Sequence, residues 1–308
     1  MLSTITSAQT IAERLGYAKT DRLLIINADD FGMCHAENVA TMELLEKKVI
    51  TSATAMVPCP WFKEAADFCQ THPDADVGIH LTLTNEWKRY KWGPVASKNS
   101  VPSLITENGF FPPDCKTVEI SADTGQVRLE LQAQIERAIK MGITPTHLDN
   151  HMGSVYGLET GRDFLEIIFD LCVAYRLPFR LPINISDELK QALPPGVAEQ
   201  FALRTQQAQA RGVVVIDYLI STKMKKPYEA FKAGVIDQLK ALKPGITEMY
   251  IHTALPTDEM KAISNAWQHR EFEYRIFQDP EVQKIIRDEK IKLIGWRDLM
   301  LLQRKTQP

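Results

Sequence analysis

Carboxylates and histidines in this sequence stand where short apolar segments end. Two adjacent aspartates follow the apolar run LLIIN, and histidines, one of them with an aspartate beside it, close three later runs. These residue types bind divalent metal ions, hold water and transfer protons, so their recurrence at one kind of position predicts a metal-assisted site. The residues are Asp29, Asp30, His80, His147, Asp149, His151 and His252.

The residue types define a simple chemistry. One carboxylate and two imidazoles are a sound ligand set for Zn²⁺ or another divalent ion, with positions left for water and substrate. A second carboxylate can take a proton from the water, whose pKa the ion lowers towards about 7. Adjacent residues of a regular strand point to opposite faces, so Asp29 and Asp30 converge only where the strand ends, and Gly32 is consistent with a turn there.

The segment HLDNH, residues 147–151, places two histidines four positions apart. That spacing puts both side chains on one face of a helix and also of a strand. If the segment is extended, Asp149 shares this face and can orient an imidazole through its second nitrogen. The spacing by itself does not select metal ligands.

Each of these signals has a structural alternative. An Asp-Asp pair after a strand is also typical of a helix N-cap or a solvated turn, and a lone histidine after an apolar run is also typical of a hydrogen-bonded packing residue. The combination favours the metal site, because four of the eight predicted strands end in these residue types although the chain has only seven histidines.

The elements that position these residues alternate between strand and helix patterns. Strand-like runs cover residues 23–27, 51–57, 76–83, 143–149, 178–183, 212–220, 246–252 and 292–296. Helical periodicity covers residues 36–48, 61–69, 126–141, 162–175, 197–211, 228–242 and 280–289. This alternation requires parallel strands, and it favours an α/β fold of the irregular (β/α) TIM-like barrel type over an open doubly wound sheet. In such a barrel the carboxyl ends of the strands meet at one mouth, where active sites are built.

The composition sets the limits of the interpretation. Residues 1–308 contain 44% hydrophobic residues and no linker or repeat, which indicates a single domain. The net charge of -3 gives no basic surface for nucleic acid, and there is neither a cationic leader nor an apolar run of the ~20 residues that a membrane helix needs. Five scattered cysteines without a CxxC pair indicate reduced thiols, so we expect a cytoplasmic protein; a homodimer is only the base-rate expectation.

One segment interrupts the alternation. Residues 85–121 are rich in proline, glycine and aromatic residues and are too long for an ordinary connection, so we expect a loop insertion over the mouth of the barrel. Trp87, Tyr90 and Trp92 in this segment, together with Trp61, are candidate platforms for stacking on sugar rings. Aromatic side chains in a long loop also serve to fix the loop to the barrel.

The ordered motifs INADDFGM, ITSATAMVPCPWF, VGIHLTLT, THLDNHMG and RLP resemble those of the YdjC-like carbohydrate deacetylase family, whose members include diacetylchitobiose deacetylases. The resemblance extends from Leu23 to the closing KLIGWRDL. It implies an irregular (β/α) barrel that removes acetyl groups from N-acetylated sugars, such as chito-oligosaccharides, by metal-assisted hydrolysis. A small carbohydrate would be the partner, and the cofactor would be one divalent ion, Mg²⁺ or Zn²⁺ in the first place and Co²⁺ or Mn²⁺ in the second.

The resemblance also implies roles for single residues. Asp30 matches the metal-binding carboxylate and Asp29 matches the general base. His80 and His151 match the two imidazole ligands, which leaves His147 as a neighbour of the ligands.

Two further positions match the family less directly. His252 is the expected general acid that protonates the leaving amine, although the proline that usually follows this histidine is replaced here by Thr253. Arg180 matches a recurring arginine, which would contact the sugar or stabilise a carboxylate. Two other functions remain open: a barrel metallohydrolase that acts on phosphate esters, and a non-catalytic sugar-binding protein.

Overall fold

The computed structural model describes residues 9–306 as a parallel sheet surrounded by helices. The strands are β1 Arg22–Phe31, β2 Ser52–Ala55, β3 Val77–Leu81, β4 Leu148–Asn150, β5 Pro182–Asn184, β6 Ile216–Ser221, β7 Gly245–Ile251 and β8 Lys292–Leu293. The helices are α1 Ile11–Arg14, α2 His35–Glu46, α3 Phe62–Thr71, α4 Cys115–Ser121, α5 Thr124–Lys140, α6 Leu165–Tyr175, α7 Asp187–Ala192, α8 Val197–Ala210, α9 Tyr228–Lys240, α10 Asp258–Ile263, α11 Trp267–Ile276, α12 Pro280–Asp288 and α13 Trp296–Thr306. The predicted α/β class is confirmed. Over residues 9–306, no helix combines the length and the apolar character needed to cross a bilayer.

The sheet has seven strands in its path, in the order β4-β3-β2-β1-β7-β6-β5, and an isolated parallel bridge between Leu148 and Phe179 joins its two edges. The parallel sheet of the expected irregular barrel is therefore present as a curled sheet with seven strands in its path, whereas a full barrel is not confirmed. The eighth predicted strand is present but short, and it pairs only with Leu23 and Leu24 of β1. It ends early because the side chain of Asp298 accepts a hydrogen bond from the backbone of Gly295 at 3.0 Å, which turns the chain into α13.

Alternate residues of β1 distinguish the two faces of the sheet. Leu24 and Ile26 belong to the large apolar cluster that the sheet shares with the helices, whereas Leu23 and Ile25 belong to a smaller cluster on the other face. Towards the carboxyl end, this second face continues with polar residues such as Asp29. The inside of the curled sheet is thus apolar at one end and polar at the end where the active site of such a fold lies.

The segment between β3 and α4 contains only two short 3-10 turns, Lys98–Ser100 and Pro102–Leu104, as regular structure. The loop predicted over residues 85–121 ends earlier than expected, because residues 115–121 form α4. The carboxylate of Asp114 caps this helix by accepting a hydrogen bond from the backbone N–H of Thr117 at 2.8 Å. The middle of the segment is bound to α5. The buried carboxylate of Glu130 accepts hydrogen bonds from the backbone N–H groups of residues 95 and 96 at 2.9 and 2.8 Å.

Candidate metal centre and active site

The end of β1 contains a bulge that turns two neighbouring carboxylates to the same side. Pairing with β2 shifts register between Ala28 and Phe31, and Asp30 has a φ of 65°, in the left-handed region. In a regular strand Asp29 and Asp30 would point to opposite faces, but here both carboxylates are buried beside one cavity. Gly32 completes the turn with a φ of 93°, where an added Cβ would lie only 3.1 Å from the backbone of α3.

Asp30, His80 and His151 form a compact group of metal-ligating side chains. One ligand atom of each lies within 4.8 Å of the others. Nε2 of His80 and Nδ1 of His151 lie 3.5 and 3.2 Å from the same oxygen, Oδ1 of Asp30. This oxygen is buried, and no group in residues 9–306 makes a hydrogen bond to it. An unpaired buried carboxylate oxygen between two imidazoles fits a single divalent ion, because such an ion would supply the missing partner.

Asp149 fixes the orientation of His80. Strands β3 and β4 pair so that these two residues are direct neighbours, and Oδ1 of Asp149 lies 2.7 Å from Nδ1 of His80. The other oxygen of Asp149 accepts a hydrogen bond from the hydroxyl of Thr54 at 2.8 Å. Because Nδ1 is occupied, His80 presents Nε2 to the ligand group.

Arg180 holds the other aspartate of the pair. Nη1 and Nη2 of Arg180 donate hydrogen bonds to the two carboxylate oxygens of Asp29 at 2.7 and 2.6 Å. The side chain of Asn27 donates to Asp29 as well, at 2.8 Å. Burial opposes the charged form, but the Arg180 guanidinium outweighs it and holds the pKa of Asp29 well below its usual range. Asp29 is therefore a fixed carboxylate beside the ligand group.

The same guanidinium contacts two more buried carboxylates. Arg180 lies 2.9 Å from Asp149 and 2.7 Å from Glu248 of β7. Burial raises the pKa of Glu248 to about 7, since one guanidinium shared by three carboxylates compensates it only in part. Asp29, His80 and Asp149 also lie within 4.8 Å of one another, but Arg180 already occupies both aspartates of that second group.

His252 follows β7 and lines the same cavity as the ligand group. Its side chain is 31% exposed, which leaves the ring accessible from the mouth. Its backbone N–H donates to the carboxylate of Glu273 at 2.9 Å, and this contact fixes the backbone of the residue. Burial lowers the pKa of His252, but the nearby carboxylates of Asp30 and Glu273 outweigh it and raise the pKa above the ordinary value. These carboxylates therefore favour the protonated ring.

Three charged residues at the site were not found from the sequence. Arg270 of α11 donates to Oδ2 of Asp30 at 2.9 Å and also contacts the buried carboxylate of Glu37. Glu86, in the segment after β3, has Oε2 3.0 Å from Nε2 of His151. Glu248 could have been predicted as a site residue, because it is a charged residue within the apolar run ITEMYIH. Arg270 and Glu86 stand in segments without a distinctive pattern.

His147 is not a member of the ligand group, although His80 of that group and Asp29 are among its electrostatic neighbours. Its ring stacks on the indole of Trp296, with 4.6 Å between centroids and 8° between planes. Gly78 makes this packing feasible, because a Cβ there would lie 2.5 Å from Nδ1 of His147. His147 is not in either group of side chains within the described chain that could hold an ion. Its position indicates packing at the inner, closed end of the site.

The aromatic residues of the segment after β3 are mostly buried. Trp87 and Trp92 are 8% and 2% exposed, and Trp92 donates from Nε1 to the backbone oxygen of Thr84 at 2.9 Å. The hydroxyl of Tyr90 donates to the backbone oxygen of Met33 at 2.6 Å. These contacts fix the segment to the rim of the sheet, and the two indoles offer little open surface for a sugar ring.

The cavity beside the ligand group has a volume of about 430 Å³. Its polar side is the ligand group with Asp29 and His252, and its other side is formed by apolar and aromatic side chains. A volume of this size is in the range of pockets for small molecules. The side chains of the apolar side include Met152, Tyr156, Leu158, Phe201, Leu219 and Tyr250.

Comparison with known proteins gives one consistent result. A family model described as YdjC-like protein matches residues 23–288. The carbohydrate deacetylase of Thermoanaerobacter pseudethanolicus is 27% identical over 89% of this chain and 98% of its own length. The carbohydrate deacetylase of Thermus thermophilus is 31% identical over 90% of this chain and 93% of its own length. That of Geobacillus stearothermophilus is 37% identical over 52% of this chain and 59% of its own length.

A solved structure from Enterococcus faecalis has the same fold. It is provisionally named a cellobiose-phosphate cleavage protein, and it is 27% identical to this chain. The TM-score is 0.74, over 91% of this chain and 99% of the Enterococcus chain. The Thermoanaerobacter and Thermus relatives and this structure therefore resemble the chain over most of its length, whereas the Geobacillus relative matches about half of it.

Proposed function

The chain belongs to the YdjC-like family, and from this premise we propose that it is a metal-dependent hydrolase that removes acetyl groups from N-acetylated sugars. The observation that carries the proposal is the convergence of Asp30, His80 and His151 around one unpaired oxygen, with the fixed carboxylate of Asp29 alongside. The relatives' name, carbohydrate deacetylase, supports the reaction and the class of substrate.

Asp30, His80 and His151 are the residues that would hold the ion. A bound divalent ion supplies a Lewis acid that polarises the acetyl carbonyl and lowers the pKa of water. Oδ1 is the oxygen of Asp30 that would bind the ion, because Oδ2 is engaged by Arg270. The donor set suits Mg²⁺, Zn²⁺, Co²⁺ or Mn²⁺.

Asp29 is the residue we propose as the proton acceptor. It takes a proton from the attacking water as the water oxygen bonds to the carbonyl carbon. The ion pair with Arg180 keeps Asp29 ionised and in one orientation. Oδ1 also accepts from Asn27, so Oδ2 is the oxygen that retains a lone pair for this proton. Arg180 thus acts through Asp29 and not on the sugar.

His252 is the residue we propose as the proton donor. Cleavage of the amide bond leaves a sugar nitrogen that must take up a proton, and the ring of His252 lies on the open side of the cavity where such a nitrogen would leave. Glu273, which is not in the ligand group, lies 4.0 Å from Nδ1 of His252 and favours the protonated form of the ring. The apolar side of the cavity is suited to the methyl of the acetyl group and to the less polar face of a sugar ring.

Replacing His252 by glutamine tests the proton donor. We expect turnover to fall by roughly 10²-fold or more, because glutamine is of similar size but cannot act as an acid. The loss should be much smaller with 4-nitroacetanilide, whose leaving amine is a weak base and needs little protonation. The matched control is His269→Gln, since His269 lies 3.5 Å from the same Glu273 but does not line the cavity. Equal losses on both substrates would contradict the role of His252.

The experiment that tests the function is a measurement of acetate release from a panel of N-acetylated monosaccharides and short chito-oligosaccharides. Phosphate monoesters of the same sugars, assayed for phosphate release, test the alternative hydrolase. That alternative usually needs two or more ions. In the described chain Arg180 binds both aspartates of the second group, whereas Arg270 leaves Oδ1 of Asp30 unpaired, so one group is available for an ion, which favours the deacetylase. Acetate release supports the proposal, and phosphate release without acetate would overturn it.

A further inference from the structure

We infer that Glu86 is a positioning residue, which fixes the orientation and the tautomer of His151 so that this histidine binds the ion through Nδ1. The inference rests on the ion site of the proposed function, but it does not depend on which substrate the site hydrolyses. It concerns a residue outside the motifs of the family resemblance and outside the three side chains proposed as ligands.

The geometry around His151 requires a choice between its two nitrogens. Nδ1 lies 3.2 Å from the unpaired Oδ1 of Asp30, and Nε2 lies 3.0 Å from Oε2 of Glu86 on the opposite side of the ring. A neutral imidazole carries one N–H and one lone pair. When Nε2–H donates to Glu86, the lone pair on Nδ1 is directed at the position that the ion would take.

The other histidine of the group has the reverse arrangement. Asp149 lies 2.7 Å from Nδ1 of His80, which leaves Nε2 for the ion. Each histidine is therefore held by a carboxylate on the nitrogen that does not face Asp30. This is the arrangement by which proteins fix the tautomer and raise the basicity of metal-binding histidines. The two histidines differ in where their carboxylates come from: Asp149 belongs to the sheet, whereas Glu86 belongs to the segment after β3.

Glu86 is itself held in place by the aromatic residues of that segment. The indole Nε1 of Trp87 donates a hydrogen bond to Oε1 of Glu86, which leaves Oε2 for His151. Trp87 packs edge-on against Trp92 at 6.3 Å, and Trp92 packs edge-on against the ring of His151 at 6.1 Å. The buried indoles thus support the ion site through Glu86 and by direct packing, and this explains why they are not open to a sugar.

The experiment compares the affinity for Zn²⁺ of the full-length protein and three variants: Glu86→Leu, Glu86→Gln and Glu159→Gln. Leucine removes the hydrogen-bond acceptor, whereas the carbonyl of glutamine can still accept the proton of Nε2. Glu159 is the matched control for charge, because it is an exposed carboxylate in the loop after His151 and its side chain makes no contact with a ligand residue in the described chain. Isotope-labelled histidine and long-range proton–nitrogen correlation spectra of the Zn²⁺-loaded proteins report which nitrogen of His151 carries the proton.

We expect Glu86→Leu to weaken Zn²⁺ binding roughly 10- to 100-fold, the effect usual for loss of a carboxylate behind a metal-binding histidine. Glu86→Gln should lose clearly less than Glu86→Leu, with the proton still on Nε2, and Glu159→Gln should bind like the unchanged protein. Two results would overturn the inference: Glu86→Leu with unchanged affinity and unchanged spectra, or Glu86→Gln as weak as Glu86→Leu, which would indicate a contribution of charge alone.

This readout is separate from that of the proposed function. A protein that binds Zn²⁺ in the expected way but releases no acetate from any sugar of the panel would contradict the substrate and leave the role of Glu86 in place. The glutamine variant also guards against a folding defect, because it preserves the size of the side chain, although its one carbonyl oxygen accepts from His151 only in place of the hydrogen bond from Trp87. Thermal unfolding of each variant without the ion checks that the fold is intact.

Discussion

Asp30→Asn is expected to lose the divalent ion and the release of acetate together. The activity should fall by roughly 10³-fold or more, because a bound ion contributes several kcal/mol and about 1.4 kcal/mol corresponds to a factor of ten in rate. The substitution is suited to this position, since asparagine adopts the left-handed backbone conformation of Asp30 readily. Elemental analysis of the purified variant, beside an acetate assay, is the measurement.

Asp76→Asn is the matched control for this prediction. Asp76 is also a buried aspartate, but it lies just before β3, at the opposite end of that strand from His80. It accepts hydrogen bonds from the hydroxyl of Thr146 and the backbone of Arg297, and burial raises its pKa to about 6. Asparagine should therefore be tolerated there with the ion retained. An Asp30→Asn protein that keeps a full equivalent of ion would contradict the assignment of Asp30 as a ligand.

Asp29→Asn is expected to keep the ion and lose turnover. Asparagine retains the shape of the side chain but cannot take a proton at neutral pH, and general-base catalysis typically contributes about 10²- to 10⁴-fold. In this variant Arg180 loses the carboxylate that accepts two of its hydrogen bonds. It keeps its ion pairs with Asp149 and Glu248, so the guanidinium still has anionic partners. The measurement is kcat on the best substrate of the panel, with ion content determined on the same preparation.

The contrast between the two aspartate variants separates the roles of adjacent residues. Loss of the ion in Asp29→Asn and its retention in Asp30→Asn would reverse the assignment. A thermal unfolding curve of the ion-free proteins distinguishes a local effect from a loss of fold, because Asp29 is buried with an ion pair whose removal leaves Arg180 with less compensation. Both variants should unfold cooperatively.

The strands and the residues at their ends are predictable from the sequence because parallel strands carry unbroken apolar runs and finish at one edge of a sheet. The grouping of Asp30, His80 and His151 can therefore be predicted from their positions at the ends of strands. The convergence of Asp29 and Asp30 requires more, namely the positive φ of Asp30, and only the glycine that follows shortly after gives a hint of it.

The other features of the site depend on contacts between segments that are far apart in the sequence and that no local pattern connects. Arg270 stands in a polar helix far along the chain, yet it binds an oxygen of Asp30. Glu86 stands in a segment rich in proline and aromatic residues, where charged residues are common. No sequence feature there identifies it as the carboxylate that contacts His151. The prediction that Trp87 and Trp92 stack on a sugar was reasonable for aromatic residues in a loop, but their burial depends on how the segment folds back on the rim.

The measurement that tests the metal-dependent hydrolase most directly is a titration of the chelated, full-length protein with a divalent ion while acetate release from an N-acetylated chito-oligosaccharide is followed. We expect no release after chelation, a linear rise as the ion is added, and a break at one ion per chain, as the single group of Asp30, His80 and His151 requires. Release of acetate that persists after complete removal of the ion would contradict the role of the metal, and a break at two ions per chain would contradict the single site.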